Sequence, residues 1–400
     1  MSSVRLYTPE HPELGTAPMP IRDYVAPESF EREREVFRHA WLHVGRVEEL
    51  PAPGNYFVQD VLACGVSILI TRGADNQLRA FHNVCRHRGN KLVWDRRGST
   101  LRHPCKFHGW NYSPQGQLIG VPEEDQFFDL DRDHLGLRPV ALDVWEGFIF
   151  ISLDPRESLR EFLGEVAQLA AGYDMSRFPV CYVYSAEVRA NWKIVRDSQL
   201  EGYHAKYLHR RAAPGLWHNR ENPSRHTVAA RLFKRHNLLS MYANLDRQPP
   251  PIQKLAGRYG VSLDDRAGSN TQLPPGINPS RSANWYCDLI YIFPTFHFEP
   301  FADMCITHQT WPIAFDRSIW EGRLYLPKGN NLAEWFSRDY SKCLTRDVWM
   351  EDGSTLENTH FGLASGAITE QLLQDQEIMI RHADKVLKDE LARLAATQRL

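Results

Sequence analysis

Apolar residues follow two different spacings along this chain. Between residues 27 and 41 they recur at helical intervals among Glu and Arg, with Phe30 and Phe37 on the repeat, which predicts an amphipathic helix. Strand-like apolar runs separated by turn-forming residues follow at 56–58, 66–70 and 147–153. Because Asp154 and Pro155 interrupt this pattern, we place the end of a β-rich segment there.

Beyond residue 155 the pattern is mixed. Helical spacing of apolar residues predicts helices at 159–169, from Trp192 onward and at 368–394. Branched and aromatic residues predict strands at 180–189, within 285–311 and at 322–326. The stretch 248–282 is polar, rich in Pro and Gly and without periodicity, so we interpret it as loops. The pattern therefore indicates a second sheet accompanied by helices.

Composition and charge narrow the class of protein. The chain has 400 residues, enough for two or three domains, and its 42% hydrophobic and 24% charged residues are ordinary for a globular protein. A formal net charge of -2 gives no electrostatic bias towards nucleic acid or anionic membranes. No apolar run has the length of a membrane span and no signal-like segment follows Met1. We therefore expect a cytoplasmic protein without nucleic-acid or membrane partners.

Two short Cys/His pairs stand out within the β-rich segment. Cys85 and His87 form the first pair, and Cys105 and His108 form the second, with seventeen residues between the pairs. Two thiolates and two imidazoles suit either a tetrahedral zinc ion or an iron–sulfur cluster in which histidines replace two cysteines on one iron. The spacing alone does not choose between these. We expect the other five cysteines to be small buried side chains, at Cys64, Cys181, Cys287, Cys305 and Cys343.

A second group of metal-ligating side chains follows Trp192. Asp197, Glu201 and His204 are spaced four and three residues apart, and on the predicted helix they share one face. His209 would lie roughly 140° around that helix from His204, so the helix must stop or distort for both imidazoles to reach one ion. Two histidines and a carboxylate from elsewhere form the facial triad that leaves open positions on non-haem Fe(II) for O2. The alternative is a solvated helix face.

These two groups carry a family resemblance. Cys85-Arg86-His87-Arg88-Gly89 together with Cys105-Lys106-Phe107-His108-Gly109-Trp110 resembles the Rieske iron–sulfur domain. Asn191-Trp192-Lys193, Glu201-Gly202-Tyr203-His204 and His209 resemble the catalytic motif of Rieske non-haem iron ring-hydroxylating oxygenases, large (α) subunit. The motifs stand in the order and spacing of the family, whose architecture covers nearly the whole chain.

The resemblance implies an α+β fold of two domains. Residues 43–155 would form the β-rich Rieske [2Fe-2S] domain. Residues 1–42 and 156–400 would form the catalytic domain, an antiparallel sheet flanked by helices. In the cluster, one iron would be ligated by Cys85 and Cys105 and the other by His87 and His108.

The resemblance also implies the ligands of the mononuclear Fe(II). These would be His204, His209 and a late carboxylate, for which Asp352 and Asp347 are the candidates. We favour Asp352 because Glu351-Asp352 stands ahead of a Gly-Leu-Ala-Ser-Gly segment at 362–366, as the acidic ligand does in the family. For Asp352 the alternative is an acid near a helix N-terminus, where the dipole favours it.

Electron supply and assembly follow from the same resemblance. The family forms head-to-tail trimers, with or without a small β subunit, in which an acid joins one subunit's iron site to its neighbour's cluster. On that basis Glu201 would connect His204 to His108 of the partner subunit in a homotrimer. The sequence has no G-x-G-x-x-G stretch for nicotinamide or flavin. Electrons from NAD(P)H would therefore come through a separate reductase, with or without a ferredoxin.

Two substrate classes remain open. The dense aromatic stretch 285–311 lies where strands line the pocket in the family, and it predicts hydroxylation of an apolar, aromatic or polycyclic molecule, as in aromatic hydrocarbon catabolism. The alternative is hydroxylation or N-demethylation of a quaternary or methylated amine. Aromatic walls also bind cations, and Glu201 stands where many ring dioxygenases have Asp. Monooxygenation and dioxygenation are both open, and the rivals from other classes are a structural zinc protein and a pure electron carrier.

Overall fold

The computed structural model describes residues 6–260 and 273–397. The chain divides into two compact units. The smaller unit is Arg34–Phe162, and the larger unit combines Met1–Glu33 with Leu163–Leu400. Within the described residues, no helix combines the length and the hydropathy that crossing a bilayer requires.

The smaller unit is built on antiparallel sheets. The elements up to its end are β1 (Met19–Pro20), α1 (Arg22–Val25), α2 (Pro27–His39), β2 (Leu42–Arg46), β3 (Asn55–Val61), β4 (Val66–Arg72), β5 (Leu78–His82), β6 (Arg97–Ser99), β7 (His103–Pro104), β8 (Asn111–Tyr112), β9 (Leu118–Gly120), β10 (Pro139–Trp145) and β11 (Phe148–Ser152). One sheet has the strand order β2-β11-β10-β5-β4-β3-β6, and a small one has the order β7-β8-β9. Central strands such as β4 and β11 are buried, as their unbroken apolar runs require.

The larger unit contains a second seven-stranded antiparallel sheet. The elements that follow are α3 (Leu159–Leu163), α4 (Val166–Leu169), β12 (Val180–Val188), α5 (Trp192–Asp197), α6 (Ala205–Leu208), β13 (Ala229–Leu232), β14 (Asn237–Tyr242), α7 (Pro251–Gly257), β15 (Trp285–Ile292), β16 (Phe296–Pro300), β17 (Cys305–Ala314), β18 (Arg317–Leu326), α8 (Leu332–Ala364), β19 (Glu370–Gln371) and α9 (Ile378–Thr397). The strand order is β12-β18-β17-β16-β15-β14-β13. Helix α8 packs on β12 and β18, α5 on β17, and α9 on β14.

The predicted α+β class is confirmed, and so are the main strands of both sheets. Two helix predictions and one loop prediction need correction here. The helix at 159–169 is two short helices, α3 and α4, separated at Gly164. The C-terminal helix begins only at Ile378; Ile368 and Leu372 are exposed and flank β19. The loop interpretation of 248–282 misses α7, and residues 261–272 lie outside the described part.

The long helix expected from Trp192 is the most informative error. Helix α5 ends at Asp197, after six residues. The Ser198 hydroxyl then donates to the carbonyl of Val195 at 2.9 Å, a local bond that competes with helix continuation. The carboxylate of Glu201 accepts the backbone amides of Tyr203 and His204, so a new turn starts there and leads into α6. Asp197, Glu201 and His204 therefore do not share one helical face.

Candidate metal centres and substrate pocket

Two similar loops in the smaller unit present the four predicted cluster ligands. Cys85 follows β5 and Cys105 follows β7, and the amide of each donates to the carbonyl five residues later, at 2.8 and 2.7 Å respectively. In each loop the glycine four residues after the cysteine donates back to the cysteine carbonyl, at 3.0 Å for Gly89 and 2.9 Å for Gly109. These glycines have φ values of 77° and 72°, in the left-handed region that favours glycine. The two loops therefore offer their side chains in the same way.

The four side chains suit a two-iron cluster better than a single ion. Cys85 and Cys105 are buried, His87 is half-buried and His108 is exposed. Around one tetrahedral zinc ion, donor atoms would lie roughly 3.3–3.8 Å apart. Within residues 6–260 and 273–397, no three of these four side chains bring donor atoms within 4.8 Å of one another. The wider spacing disfavours the zinc alternative and fits thiolates on one iron and imidazoles on another.

Polar contacts surround the two sulfur atoms. The Tyr112 hydroxyl accepts the amide of Arg86 at 3.0 Å and lies 3.6 Å from Cys85 Sγ, so its proton is free to point at the sulfur. The Asn90 amide donates to Cys105 Sγ at 3.7 Å. Hydrogen bonds to sulfur tune the reduction potential of an iron–sulfur cluster. Burial and the nearby His108 lower the pKa of His87, which keeps that imidazole neutral and available as a ligand.

The larger unit brings together the three predicted ligands of the mononuclear iron. His204 precedes α6, His209 follows it, and Asp352 lies in the middle of α8. Asp352 Oδ1 is 3.4 Å from His204 Nε2 and 3.1 Å from His209 Nε2. One ligand atom from each of the three residues falls within 4.8 Å of the others. Asp347 is elsewhere: its half-exposed carboxylate accepts hydrogen bonds from Arg346 at 2.6 and 2.9 Å.

A second carboxylate orients each histidine of this group. Glu201 Oε1 accepts the Nδ1 proton of His204, and Glu351 Oε2 lies 3.0 Å from Nδ1 of His209. Because Nδ1 of each ring faces one of these glutamates, Nε2 of each ring faces Asp352. Carboxylate–histidine pairs of this kind fix the tautomer and orientation of metal-binding histidines. Glu351 stands beside Asp352 in the sequence, but nothing in the sequence indicates that it would contact His209.

The electrostatics of the group favour a bound cation. Burial opposes protonation of His204, but the charges of Glu201 and Asp352 outweigh it and raise the pKa of His204 to about 9. Burial raises the pKa of Asp352, but hydrogen bonds from His204 and His209 outweigh it and bring the pKa down to about 2. Three carboxylates and two imidazoles thus create a negative site that a divalent metal would neutralise. The nitrogen and oxygen donors fit non-haem iron.

A small cavity adjoins the two histidines and Asp352. Its volume is about 100 Å³. Aromatic rings form part of its wall. The ring centroid of Trp217 is 5.4 Å from that of His209 and 5.9 Å from that of Tyr286, and the centroids of Tyr286 and Phe301 are 5.3 Å apart. Of the aromatic residues predicted from 285–311 to line the pocket, Tyr286 and Phe301 do so, whereas Phe293, Phe296 and Phe298 are core residues.

The same cavity contains charged side chains that the motifs do not include. Glu299 on β16 and Arg225 before β13 are 7% and 5% exposed, respectively, and both line the cavity. Burial and the charge of Asp352 raise the pKa of Glu299 to about 8. Glu299 Oε1 is 3.4 Å from Nε2 of His308, whose Nδ1 accepts the Trp320 indole proton at 3.1 Å. Isolated charged residues carry no sequence signal of burial, so these two could not be found before the fold was known.

A larger cavity also adjoins the two histidines and Asp352 through His204 and Asp352. Its volume is about 540 Å³, and its lining includes Glu201, His204, Tyr207 and Asp352. Tyr24 and Asp197 also line it, and the Tyr24 hydroxyl donates to Asp197 at 2.6 Å. Asp197 is further paired with Arg196 at 2.6 Å, so its role is local and structural.

Comparison with known proteins adds independent findings. Residues 175–393 match the family model described as ring hydroxylating alpha subunit (catalytic domain), and residues 40–141 match the Rieske [2Fe-2S] domain. The glycine betaine monooxygenase oxygenase subunit of Chromohalobacter salexigens is 36% identical over 197 residues, 49% of this chain and 44% of that protein. Its counterpart from Pseudomonas aeruginosa is 28% identical over 333 residues, 79% of this chain and 74% of that protein. The chain thus spans less than half of the first relative's length.

Solved structures share the fold. A quaternary ammonium Rieske monooxygenase superposes with a TM-score of 0.74 at 20% identity, covering 94% of this chain and 95% of that one. Naphthalene 1,2-dioxygenase from Rhodococcus sp. superposes with a TM-score of 0.72 at 21% identity, covering 93% of both chains. At these identities the superpositions establish the architecture and do not distinguish between substrates.

Proposed function

This chain belongs to the ring-hydroxylating oxygenase alpha-subunit family, and we propose that it is the oxygenase component of a Rieske monooxygenase acting on a small quaternary or methylated amine. The two family-model matches confirm the resemblance found in the sequence. The cofactors of this protein are a Rieske [2Fe-2S] cluster and a mononuclear iron. When bound, these supply electrons and O2 activation, so that one oxygen atom enters a C–H bond and the other leaves as water.

The ligand assignments are part of the proposal. Cys85 and Cys105 hold one iron of the cluster, and His87 and His108 hold the other. The mononuclear iron is held by His204, His209 and Asp352, with Glu201 and Glu351 fixing the two imidazoles. We assign the cluster to the domain at 43–155 and the iron to 1–42 with 156–400. Electrons from NAD(P)H arrive through a separate reductase, and the assembly is a cytoplasmic homotrimer.

The buried carboxylate of Glu299 beside aromatic rings carries the choice of substrate. An aromatic hydrocarbon filling the pocket would leave the Arg225 guanidinium desolvated without an anionic partner, which costs several kcal/mol for a buried ion. A methylated ammonium group would contact the faces of Trp217, Tyr286 and Phe301, and its positive charge would favour the ionised form of Glu299 and pair with it. The named relatives also support the amine alternative better than the aromatic prediction.

The size of the pocket does not separate the two substrate classes. A cavity of roughly 150 Å³ accommodates benzene. The cavity of about 100 Å³ here is smaller than that, and glycine betaine has more non-hydrogen atoms than benzene, so the choice rests on the charged side chains and not on volume. Within it, the histidine–aspartate group forms one wall and the aromatic rings another, so that a methyl group of the amine would be presented towards the metal side.

Coupled turnover separates the two substrate classes. With a surrogate reductase, NAD(P)H and O2 consumption should rise with glycine betaine or carnitine and match the product formed, measured as formaldehyde or as hydroxylated amine. Indole and naphthalene should give at most uncoupled consumption. Coupled product from naphthalene with none from the amines would refute the amine assignment and restore the aromatic prediction.

A further inference from the structure

We propose that Arg225 forms an anion-binding subsite in the small cavity, and that this subsite holds the carboxylate of a zwitterionic methylated amine. The proposal rests on the amine function for one half of the ligand. The anion half rests on Arg225 itself. Arg225 lies in the segment between α6 and β13, and only 5% of it is exposed.

The guanidinium is held from several sides by groups that carry no negative charge. Nη1 donates to the carbonyl of Gly202, the guanidinium carbon lies 4.7 Å above the ring of Trp217, and Nη2 is 3.7 Å from Met241 Sδ. A Cβ on Gly202 would approach that carbon to 3.0 Å, so the glycine makes room for the arginine. The backbone of Arg225 has φ of 56°, in the left-handed region that is strained for residues other than glycine.

This arginine lacks the partner that a buried cation needs. In the described part of the chain, no carboxylate oxygen lies within 4.0 Å of its guanidinium, and its buried Nε has no acceptor. Burial lowers the pKa of Arg225 to about 10, so it remains charged at neutral pH. Buried charges are normally paired. A planar guanidinium is also the group best shaped to bind a carboxylate.

The Glu299 carboxyl gives the same cavity a second pole. Burial raises the pKa of the Cys287 thiol most, Glu299 raises it further and Arg225 lowers it, so both groups act on one buried side chain of the cavity wall. A ligand with an ammonium and a carboxylate would satisfy both poles at once, because its ammonium would favour the ionised form of Glu299. A ligand carrying only one charge would satisfy one pole and leave the other unpaired.

A different role for Arg225 must be separated from this one. Arg225 also helps to lower the pKa of Glu201, after larger effects from His204. If its role were confined to Glu201, replacing it would act on the charge of Glu201 and His204 beside the cavity, and binding of the ammonium-only ligand would change along with binding of the carboxylate ligands. An anion subsite instead makes the loss depend on whether the ligand carries a carboxylate.

Calorimetric binding to the anaerobic holoenzyme tests this with three matched probes. Glycine betaine carries both charges, choline carries only the ammonium, and 3,3-dimethylbutanoate carries only the carboxylate. Arg225→Gln should lower the affinity for glycine betaine and for 3,3-dimethylbutanoate about 10- to 100-fold, and the affinity for choline less than about 3-fold. Glu299→Gln should lower the affinity for glycine betaine and for choline but not for 3,3-dimethylbutanoate.

Two further variants serve as controls. Arg231→Gln removes another arginine that lies 5.1 Å above an aromatic ring, Phe233, but outside the cavity, and its binding constants should equal those of the wild type. Arg225→Lys keeps the charge and guards against a folding defect in Arg225→Gln. It should retain part of the preference for carboxylate ligands, with unchanged cluster absorbance and iron content.

The outcomes distinguish this inference from the proposed function. Equal losses for choline and glycine betaine, or no loss for either, would overturn the anion subsite while leaving the amine function standing. Binding of 3,3-dimethylbutanoate that depends on Arg225, with no binding of either ammonium compound, would retain the subsite and overturn the amine function. Failure of all three probes to bind the wild type would overturn both.

Discussion

Two aspartates five residues apart on α8 have different surroundings. Asp352 is 6% exposed and its Oδ1 lies 3.1 Å from His209 Nε2. Asp347 is half-exposed and pairs with Arg346. We therefore expect Asp352→Asn to lose the mononuclear iron and all turnover while the red-brown cluster remains, because one of three ligands is removed. Iron analysis alongside visible absorbance measures both centres in one sample.

Asp347→Asn is the matched control, since it changes the same residue type on the same helix. It should keep all of its iron and at least about half of its activity, because a surface ion pair contributes only about 0–1 kcal/mol. Iron loss in Asp347→Asn with a fully active Asp352→Asn would reverse our choice between the two acids.

For single residues, the sequence predicts those that belong to short motifs. The patterns around Cys85, Cys105 and His204 identify candidate metal ligands without a structure, because the residues of each motif are close together in the sequence. Glu299 and Arg225 could not be predicted, since their importance comes from burial in a cavity whose walls are distant in sequence. The same holds for Glu351, whose contact with His209 spans 142 positions.

Among the elements, strands were easier to predict than helices. The runs at 66–70 and 180–189 are apolar or branched and correspond to β4 and β12. Helix α8 was missed although it has 33 residues, because its buried positions include Ser337, Arg338 and Thr345 and give no clear apolar stripe. The break after α5 was missed because it depends on the side-chain hydrogen bonds of Ser198 and Glu201.

The packing of α9 against β14 depends on a neutral histidine. His382 Nε2 donates to the carbonyl of Phe233 at 2.8 Å, and its Nδ1 lies 3.5 Å from the amide nitrogen of Asn237. Protonating Nδ1 would set two donors against each other. Burial lowers the pKa of His382 to about 4, so its contribution to stability is present above pH 6.5 and is lost as the pH falls towards 4.

The acid sensitivity of this element can be measured directly. Between pH 7.5 and 5.0, wild-type protein should lose about 2 kcal/mol of unfolding free energy through His382, and His382→Gln should lose correspondingly less. Urea midpoints at the two pH values give the comparison. His134→Gln, which removes an exposed histidine, should behave as the wild type does. An identical pH response in His382→Gln would mean that other groups account for the acid sensitivity.

The whole molecule combines two units that each carry one metal-ligating group. The donors of the cluster site include an exposed imidazole, His108, at the surface of the smaller unit. In the larger unit, the cavity of about 540 Å³ is lined by Glu201 and His204 among others. In the proposed homotrimer, His108 of the partner subunit approaches Glu201 through this cavity. Glu201 would then join the two redox centres of neighbouring chains.

Mixed assemblies test whether electrons cross between chains. Cys105→Ser removes a cluster ligand and His209→Ala removes an iron ligand, so each variant alone should be inactive. When the two are co-expressed, random assembly of a closed trimer places an intact cluster next to an intact iron site at one interface in four. Activity should therefore recover to roughly a quarter of the wild type. Transfer confined within one chain predicts no recovery, because no single chain holds both centres.

The position of a second substitution then identifies the connecting acid. Glu201→Gln placed in the Cys105→Ser chain, which supplies the working iron site, should abolish the recovered activity because the bond from His204 to a charged carboxylate is lost. The same substitution placed in the His209→Ala chain, which supplies only the cluster, should leave the recovery unchanged. Equal effects in both chains would show that Glu201 supports folding or assembly rather than the connection between the two centres.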